Sequence, residues 1–297
     1  MSDIGLVWIR EDFRIENNAA LSYATQNHDS VIAFFIYNNN DYDNKREAQK
    51  WWLSKSLENF KEDLSNYKIN FQIVKGDELD IFSKIKKKDN VSIYWNKIYE
   101  PDVISKGKKI RDLFIKNEIN FKYFKGNILN EFQEVTKNDK TPFKVFTPFW
   151  RTAEKVYLSL PPSKNYIVKK KSQIKSFFKN CITPNDILPK KKWYKKFDKY
   201  WKVSEKKSKD VLKDLIENKI KDYGTSRDIP SIEGTSKLSP YIKFGQIHVG
   251  TIWKKCNEIK SKGTGYRKYI NELGWREFSH SLINYFPEFL KGNFRKE

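Results

Sequence analysis

Two stretches hold the residues best suited to chemistry. In Thr235-Ser-Lys-Leu-Ser239, three hydroxyls (Thr235, Ser236, Ser239) and the Lys237 ammonium fall within five residues, just before Pro240. Ser239 reads as a helix N-cap with Pro240 at the first helical position. Hydroxyls, a cation and free backbone N–H groups at a helix start suit a diphosphate. In Asn271-Glu-Leu-Gly-Trp-Arg-Glu-Phe278, the residues Glu272, Trp275, Arg276 and Ser279 recur at i, i+3, i+4 and i+7, so a helix gathers them on one face. A carboxylate, a large flat ring and a guanidinium side by side suit a nucleobase or a flat ring system. His28, His248 and His280 have no metal-ligand spacing, and no Ser-His-Asp or Cys-His arrangement is visible.

The elements that must position these groups change character along the chain. Ile4–Ile9, Val31–Ile36, Asn70–Lys75, Val91–Trp95 and Asn120–Phe124 are apolar runs of strand length. Helical spacing lies between them, most clearly over 47–67, with others at 77–86 and 101–117. The order predicts an α/β domain over residues 1–128, a doubly wound five-stranded parallel sheet whose ligands sit at the carboxyl ends of its strands. The turn after the first strand, Arg10-Glu-Asp-Phe-Arg14, has no glycine fingerprint for a dinucleotide. Residues 129–203 lose periodicity, gather Lys and Pro, and read as a connector packed over the surface. From 204 to 297 the pattern is helical, with breaks at 224–234 and 261–265.

The net charge of +21 is concentrated: 17 Lys against four acidic residues lie between Lys164 and Lys213. Two readings stand for this run, attraction to phosphates or a solvated connector in a Lys-, Asn- and Ile-rich chain. The chain is only 38% hydrophobic, but its 9 Trp, 16 Tyr and 21 Phe supply enough large side chains for a core. Cys181 and Cys256 stand far apart, which points to free thiols, a reducing compartment and a cytoplasmic location. No signal peptide or membrane span is expected.

These strings closely resemble the photolyase/cryptochrome family. The pattern runs from Tyr223 through Arg227-Asp-Ile-Pro230 and Glu233-Gly-Thr-Ser-Lys-Leu-Ser239, continues to Gly245, and is completed by Glu272-Leu-Gly-Trp-Arg-Glu-Phe278. Leu6-Val-Trp-Ile-Arg-Glu-Asp-Phe-Arg14 and Lys144-Val-Phe-Thr-Pro-Phe149 extend it to the N-terminal half. The resemblance implies a helical FAD-binding domain after the sheet domain. It implies that Tyr223, Thr235, Ser236, Lys237, Leu238 and Ser239 contact FAD, with Lys237 where Arg is common. Arg227 falls on the DNA side, with a salt bridge to Asp228 as the plain alternative. Glu272, Trp275, Arg276 and Ser279 fall at the pocket for a flipped lesion. Glu100 falls where a reduced-folate antenna is contacted, a deazaflavin being the other antenna of the family.

The implied activity is that of a class I cyclobutane pyrimidine dimer photolyase, in which reduced FAD donates an electron to the dimer under blue light. No catalytic acid, base or nucleophile is implied, and the electron-transfer residues of the family fall beyond residue 297. The expectation is therefore a shortened FAD domain, half a flavin cavity, exposed apolar faces on the last helices, and a fragment or a complementing C-terminal polypeptide. A cryptochrome-type blue-light flavoprotein and an inactive truncated fragment are the alternatives. A generic Lys-rich RNA-binding protein lacks a signature.

Overall fold

The computed structural model describes residues 4–40, 46–158, 166–171 and 176–292. The expected strands are present as β1 (Ile4–Ile9), β2 (Ser30–Tyr37), β3 (Asn70–Lys75), β4 (Val91–Asn96) and β5 (Asn120–Phe124). All their pairings are parallel, and the order is β5-β4-β1-β2-β3-β6. The sixth strand, β6 (Cys181–Ile182), comes from the Lys-rich segment and pairs antiparallel with β3. Two residues are too few to show alternation, so this edge strand was not legible in the sequence.

The helices interleaved with the strands are α1 (Ala19–Asn27), α2 (Glu47–Ser65), α3 (Glu78–Ser83) and α4 (Pro101–Lys116). Asn18 caps α1 by accepting from the Leu21 N–H at 3.1 Å, and Asp77 caps α3 by accepting from the Leu79 N–H at 2.8 Å. The strand period of two separates the core into two faces. Leu6, Trp8, Phe34 and Trp95 pack with Phe82 of α3 and Phe114 of α4. Val7, Ile9, Ala33 and Phe35 pack toward α1 and α2, and this second core runs on into the C-terminal helices. The tryptophans Trp8, Trp51, Trp52 and Trp95 are all buried packing residues.

The remaining helices are α5 (Phe146–Leu158), α6 (Phe197–Tyr200), α7 (Glu205–Asp214), α8 (Tyr223–Ser226), α9 (Ser239–Lys243), α10 (Val249–Asn257) and α11 (Thr264–Tyr285). The segment 129–203 is more than a surface connector. Its α5 buries Phe149, Trp150, Ala153 and Tyr157. The Trp150 ring lies so close to Gly274 of α11 that an added Cβ would fall 2.6 Å from it. Pro148 obscured this helix in the sequence, yet it sits in the first turn, where a missing N–H costs nothing. Phe289 and Leu290, after α11, are exposed. The chain end at 294–297 lies outside the described residues. Among the described residues, no helix is long and apolar enough to cross a membrane.

Candidate functional site

The strand order reverses between β1 and β4, and the loops leaving these two strands face the C-terminal helices. A cavity of about 400 Å³ lies at that junction. Glu11, Asp12 and Arg14 line it from the loop after β1, and residues 96–100 from the loop after β4. Tyr223, Ser236, Leu238, Ser239, Glu272 and Arg276 line it from the helical side.

The junction is built by close backbone approach. Gly245 has φ +68, and a Cβ there would fall 1.9 Å from the Glu11 carbonyl oxygen. The Phe13 N–H donates to the Phe244 carbonyl at 3.3 Å, and the buried Arg14 donates through Nη1 to the Gly245 carbonyl at 2.9 Å. Trp52 Nε1 of α2 donates to Gln246 Oε1 at 3.2 Å, and Gln246 Nε2 donates to Ser56 Oγ at 2.7 Å. Helix α11 grips the loop after β5: Arg276 Nη2 donates to the Asn127 carbonyl at 2.6 Å, and Glu277 Oε2 accepts from the Leu129 N–H at 2.8 Å.

The residues singled out by sequence divide into two groups. Tyr223 stands edge-on to Tyr269, with ring centroids 5.1 Å apart and planes at 89°, and the Arg227 guanidinium lies 5.4 Å from its ring. Arg227 pairs with Glu272 at 2.5 Å and with Asp228 at 3.4 Å. Ser236 accepts from the Leu238 N–H at 3.3 Å, and Leu238 is buried. By contrast, Thr235 and Lys237 are exposed and outside the cavity lining. Lys237 has φ +54 and pairs with Glu233. The expected Ser239 cap is not formed either. Ser239 is the first residue of α9, Leu238 takes the cap position, and no side chain caps it. At five residues, α9 is too short to gather much of a macrodipole.

The face expected on α11 also splits. Glu272 and Arg276 line the cavity, whereas Trp275 and Ser279 do not. Trp275 is 47% exposed and stacks on Phe146 of α5. Ser279 Oγ donates back to the Trp275 carbonyl at 2.8 Å. The lining residues Tyr269, Glu272, Leu273, Arg276 and His280 span an arc of about 100° on α11, and Trp275 and Ser279 fall beyond its edge on the Glu272 side.

Glu100 precedes α4 at its N-cap, and its Oε1 lies 2.8 Å from Lys243 Nζ. Lys243 also reaches Glu11 Oε1 at 2.5 Å. Burial pushes the Glu11 carboxyl up despite this ammonium. At Glu100, burial acts in the same direction but Lys243 outweighs it, and the carboxyl stays below its ordinary value. Burial lowers Lys243, but the two carboxylates outweigh it and leave the ammonium raised. His280 also lines the cavity, and burial with Arg276 and Lys243 lowers it to about 4. Burial raises Glu277, with Arg276 opposing. The sequence reading missed Glu11, Arg14, Lys243, Glu277 and His280. The turn after β1 pointed to Glu11 and Arg14, because ligands gather at strand carboxyl ends. Lys243 was inside a matched string. Glu277 was likewise inside a matched string, and nothing local marked His280. Among the described residues, no group of three or more His, Cys, Asp or Glu side chains is placed to hold a metal.

The family model for DNA photolyase matches residues 5–166. A deoxyribodipyrimidine photo-lyase of Agrobacterium fabrum is 27% identical over 292 residues, covering 95% of this chain and 60% of that protein. A solved class III photolyase from Agrobacterium tumefaciens is 25% identical, with TM-score 0.87 over 99% of this chain and 62% of that one. A cryptochrome from Synechocystis, at 18% identity, shares the fold with TM-score 0.83, over 99% of this chain and 65% of that one. The chain thus spans less than two thirds of the length of these proteins.

Proposed function

The chain belongs to the DNA photolyase family, and we propose that it serves light-driven repair of cyclobutane pyrimidine dimers in DNA, with FAD held between the sheet and α8–α11. One observation carries this reading: the cavity at the β1/β4 switch point is lined by Tyr223, Ser236, Leu238, Ser239, Glu272 and Arg276, six of the residues that the sequence strings nominated. A class I assignment is not carried further, because one similar solved structure is named as class III.

The lining suits a flavin dinucleotide. Tyr223, Tyr269 and Leu238 offer ring and apolar walls, the Ser236 and Ser239 hydroxyls offer donors, and Arg276 and Lys243 offer cations for a diphosphate. Arg14, also in the lining, has a buried Nε with no protein partner. When bound, FAD supplies light absorption and electron donation; the protein positions it. Glu272 holds Arg227 through Oε1, which leaves Oε2 to accept an N–H from a base. Trp275 offers an exposed ring on which a damaged base can stack. Arg227, paired with Glu272, and the exposed Ser279 are the remaining candidate DNA contacts. An antenna pigment, folate or deazaflavin, that contacted Glu100 would share it with Lys243. In this reading residues 1–128 form the antenna domain. Residues 204–297, with α5 from the segment 129–203 packed on α11, carry the flavin side.

The first test is gel filtration of the chain followed by visible absorption and titration with FAD. Co-eluting flavin, and loss of thymine dimers from an oligonucleotide under blue light, is the expected result. A colourless protein that takes up no FAD would sink the reading for this chain. Flavin binding without repair would favour the cryptochrome-type alternative.

A further inference from the structure

Residues 190–202 form a lysine-dense stretch of the surface. Seven of the thirteen are lysines against one acid, Asp198. All seven lysines are exposed. Among the described residues none of the seven has a carboxylate within ion-pair distance, as is also true of the exposed Lys84, Lys108 and Lys169, whereas Lys55, Lys209 and Lys255 are paired. The segment is nonetheless held in place. Phe197 packs edge-on against Trp51 with centroids 5.2 Å apart, and Trp201 against Trp52 at 5.3 Å. The Tyr241 hydroxyl donates to the Lys202 carbonyl at 2.8 Å, and Trp193 Nε1 donates to Glu47 at 2.8 Å. Aromatic anchors thus fix the backbone to α2 and α9 and leave the ammonium groups pointing out. One aromatic breaks the pattern: Tyr200 is 81% exposed and packs on nothing that its neighbours pack on.

We propose that this ridge is a second nucleic-acid surface, apart from the cavity, which takes a single strand through phosphates on its lysines and a base stacked on Tyr200. None of its residues lines the cavity. Unpaired lysines on a fixed backbone give phosphate attraction without base-edge readout, and an exposed ring gives sequence-tolerant stacking. A merely solvated face accounts for the lysines but not for an anchored segment that leaves one ring in water.

The test is fluorescence anisotropy with an undamaged, labelled oligo-dT in the dark, over a salt series from low to physiological strength. Wild type is expected to bind, with log K falling linearly as log salt rises. The triple variant Lys191→Glu, Lys195→Glu, Lys199→Glu should lose at least about tenfold in affinity and show a shallower salt slope. Tyr200→Ala should lose about fivefold or more with the slope unchanged. All four positions are exposed, so the variants keep the fold, which circular dichroism checks. Wild-type binding that the triple variant retains in full would overturn the proposal. So would an absence of wild-type binding at low salt, or loss of binding by the triple variant to phosphatidylserine vesicles but not to the oligonucleotide. A dimer-containing oligonucleotide separates this surface from the cavity: its preference over undamaged DNA should survive the triple variant.

Discussion

The ring of Phe146 lies 3.8 Å from that of Trp275, with the planes within 8° of parallel. Phe146 comes from α5 and Trp275 from α11, so the stack joins the segment after β5 to the helix that carries the candidate lesion residues. It covers one face of the indole, and the ring stays 47% exposed. Phe146 is itself nearly parallel to Trp150, 6.2 Å away, which limits its freedom to turn.

Removing this support should loosen the indole. For Phe146→Ala we expect Trp275 to become more accessible to acrylamide quenching. Affinity for dimer-containing DNA should fall by about three- to tenfold, the worth of one aromatic pair, while Phe146→Tyr keeps wild-type values. Unchanged quenching in Phe146→Ala would refute a positioning role for the phenyl ring.

Gly245 is the point of closest contact between the loop after β1 and the helices. A Cβ at φ +68 is strained and would also fall 1.9 Å from the Glu11 carbonyl oxygen. Gly245→Ala should therefore lower the urea-unfolding stability by more than about 1 kcal/mol. A variant with the wild-type midpoint would show that the two loops separate without cost.

Lys243 bridges Glu11 and Glu100 at 2.5 and 2.8 Å. Burial already raises the Glu11 carboxyl, and loss of the ammonium should raise it further. A carboxyl raised in the folded state makes stability rise as pH falls through its folded value. The penalty of Lys243→Ala should thus be larger at pH 8 than at pH 5. The pair is partly exposed, so about 1 kcal/mol is the scale. An equal penalty at both pH values would contradict the assignment.

Two histidines should make the protein acid-sensitive. His248 Nδ1 accepts from the Gly250 N–H at 2.9 Å, and its Nε2 meets the Gly126 carbonyl at 3.2 Å. Burial and the Arg14 charge lower it to about 3, as burial and Arg276 lower His280 to about 4. The unfolded chain therefore binds more protons than the folded one below the ordinary histidine value of 6.5. Each histidine then removes stability as pH falls, by at most about 1.4 kcal/mol per unit. His280→Gln should flatten the stability curve between pH 6.5 and about 4 relative to wild type. Parallel curves in chemical denaturation would argue against a buried neutral His280.

The sequence by itself determined the parallel sheet, because five apolar runs with helices between them leave few other arrangements. It also placed Tyr223, Ser236, Leu238, Ser239, Glu272 and Arg276 in two strings whose residues meet at the cavity. The sheet reading rests on period and local order, which neighbouring residues carry, and the site residues rest on the resemblance of the two strings to the photolyase/cryptochrome family. Only the tertiary structure decided which members of a string face inward. Lys237 turns away to Glu233 on a positive φ, and Trp275 leaves the cavity for Phe146, 129 positions earlier in the chain. It also decided the bridge from Lys243 to Glu11 and Glu100, groups 232 and 143 residues apart. Such partners are chosen by how helices dock on the sheet, and no local spacing records that choice.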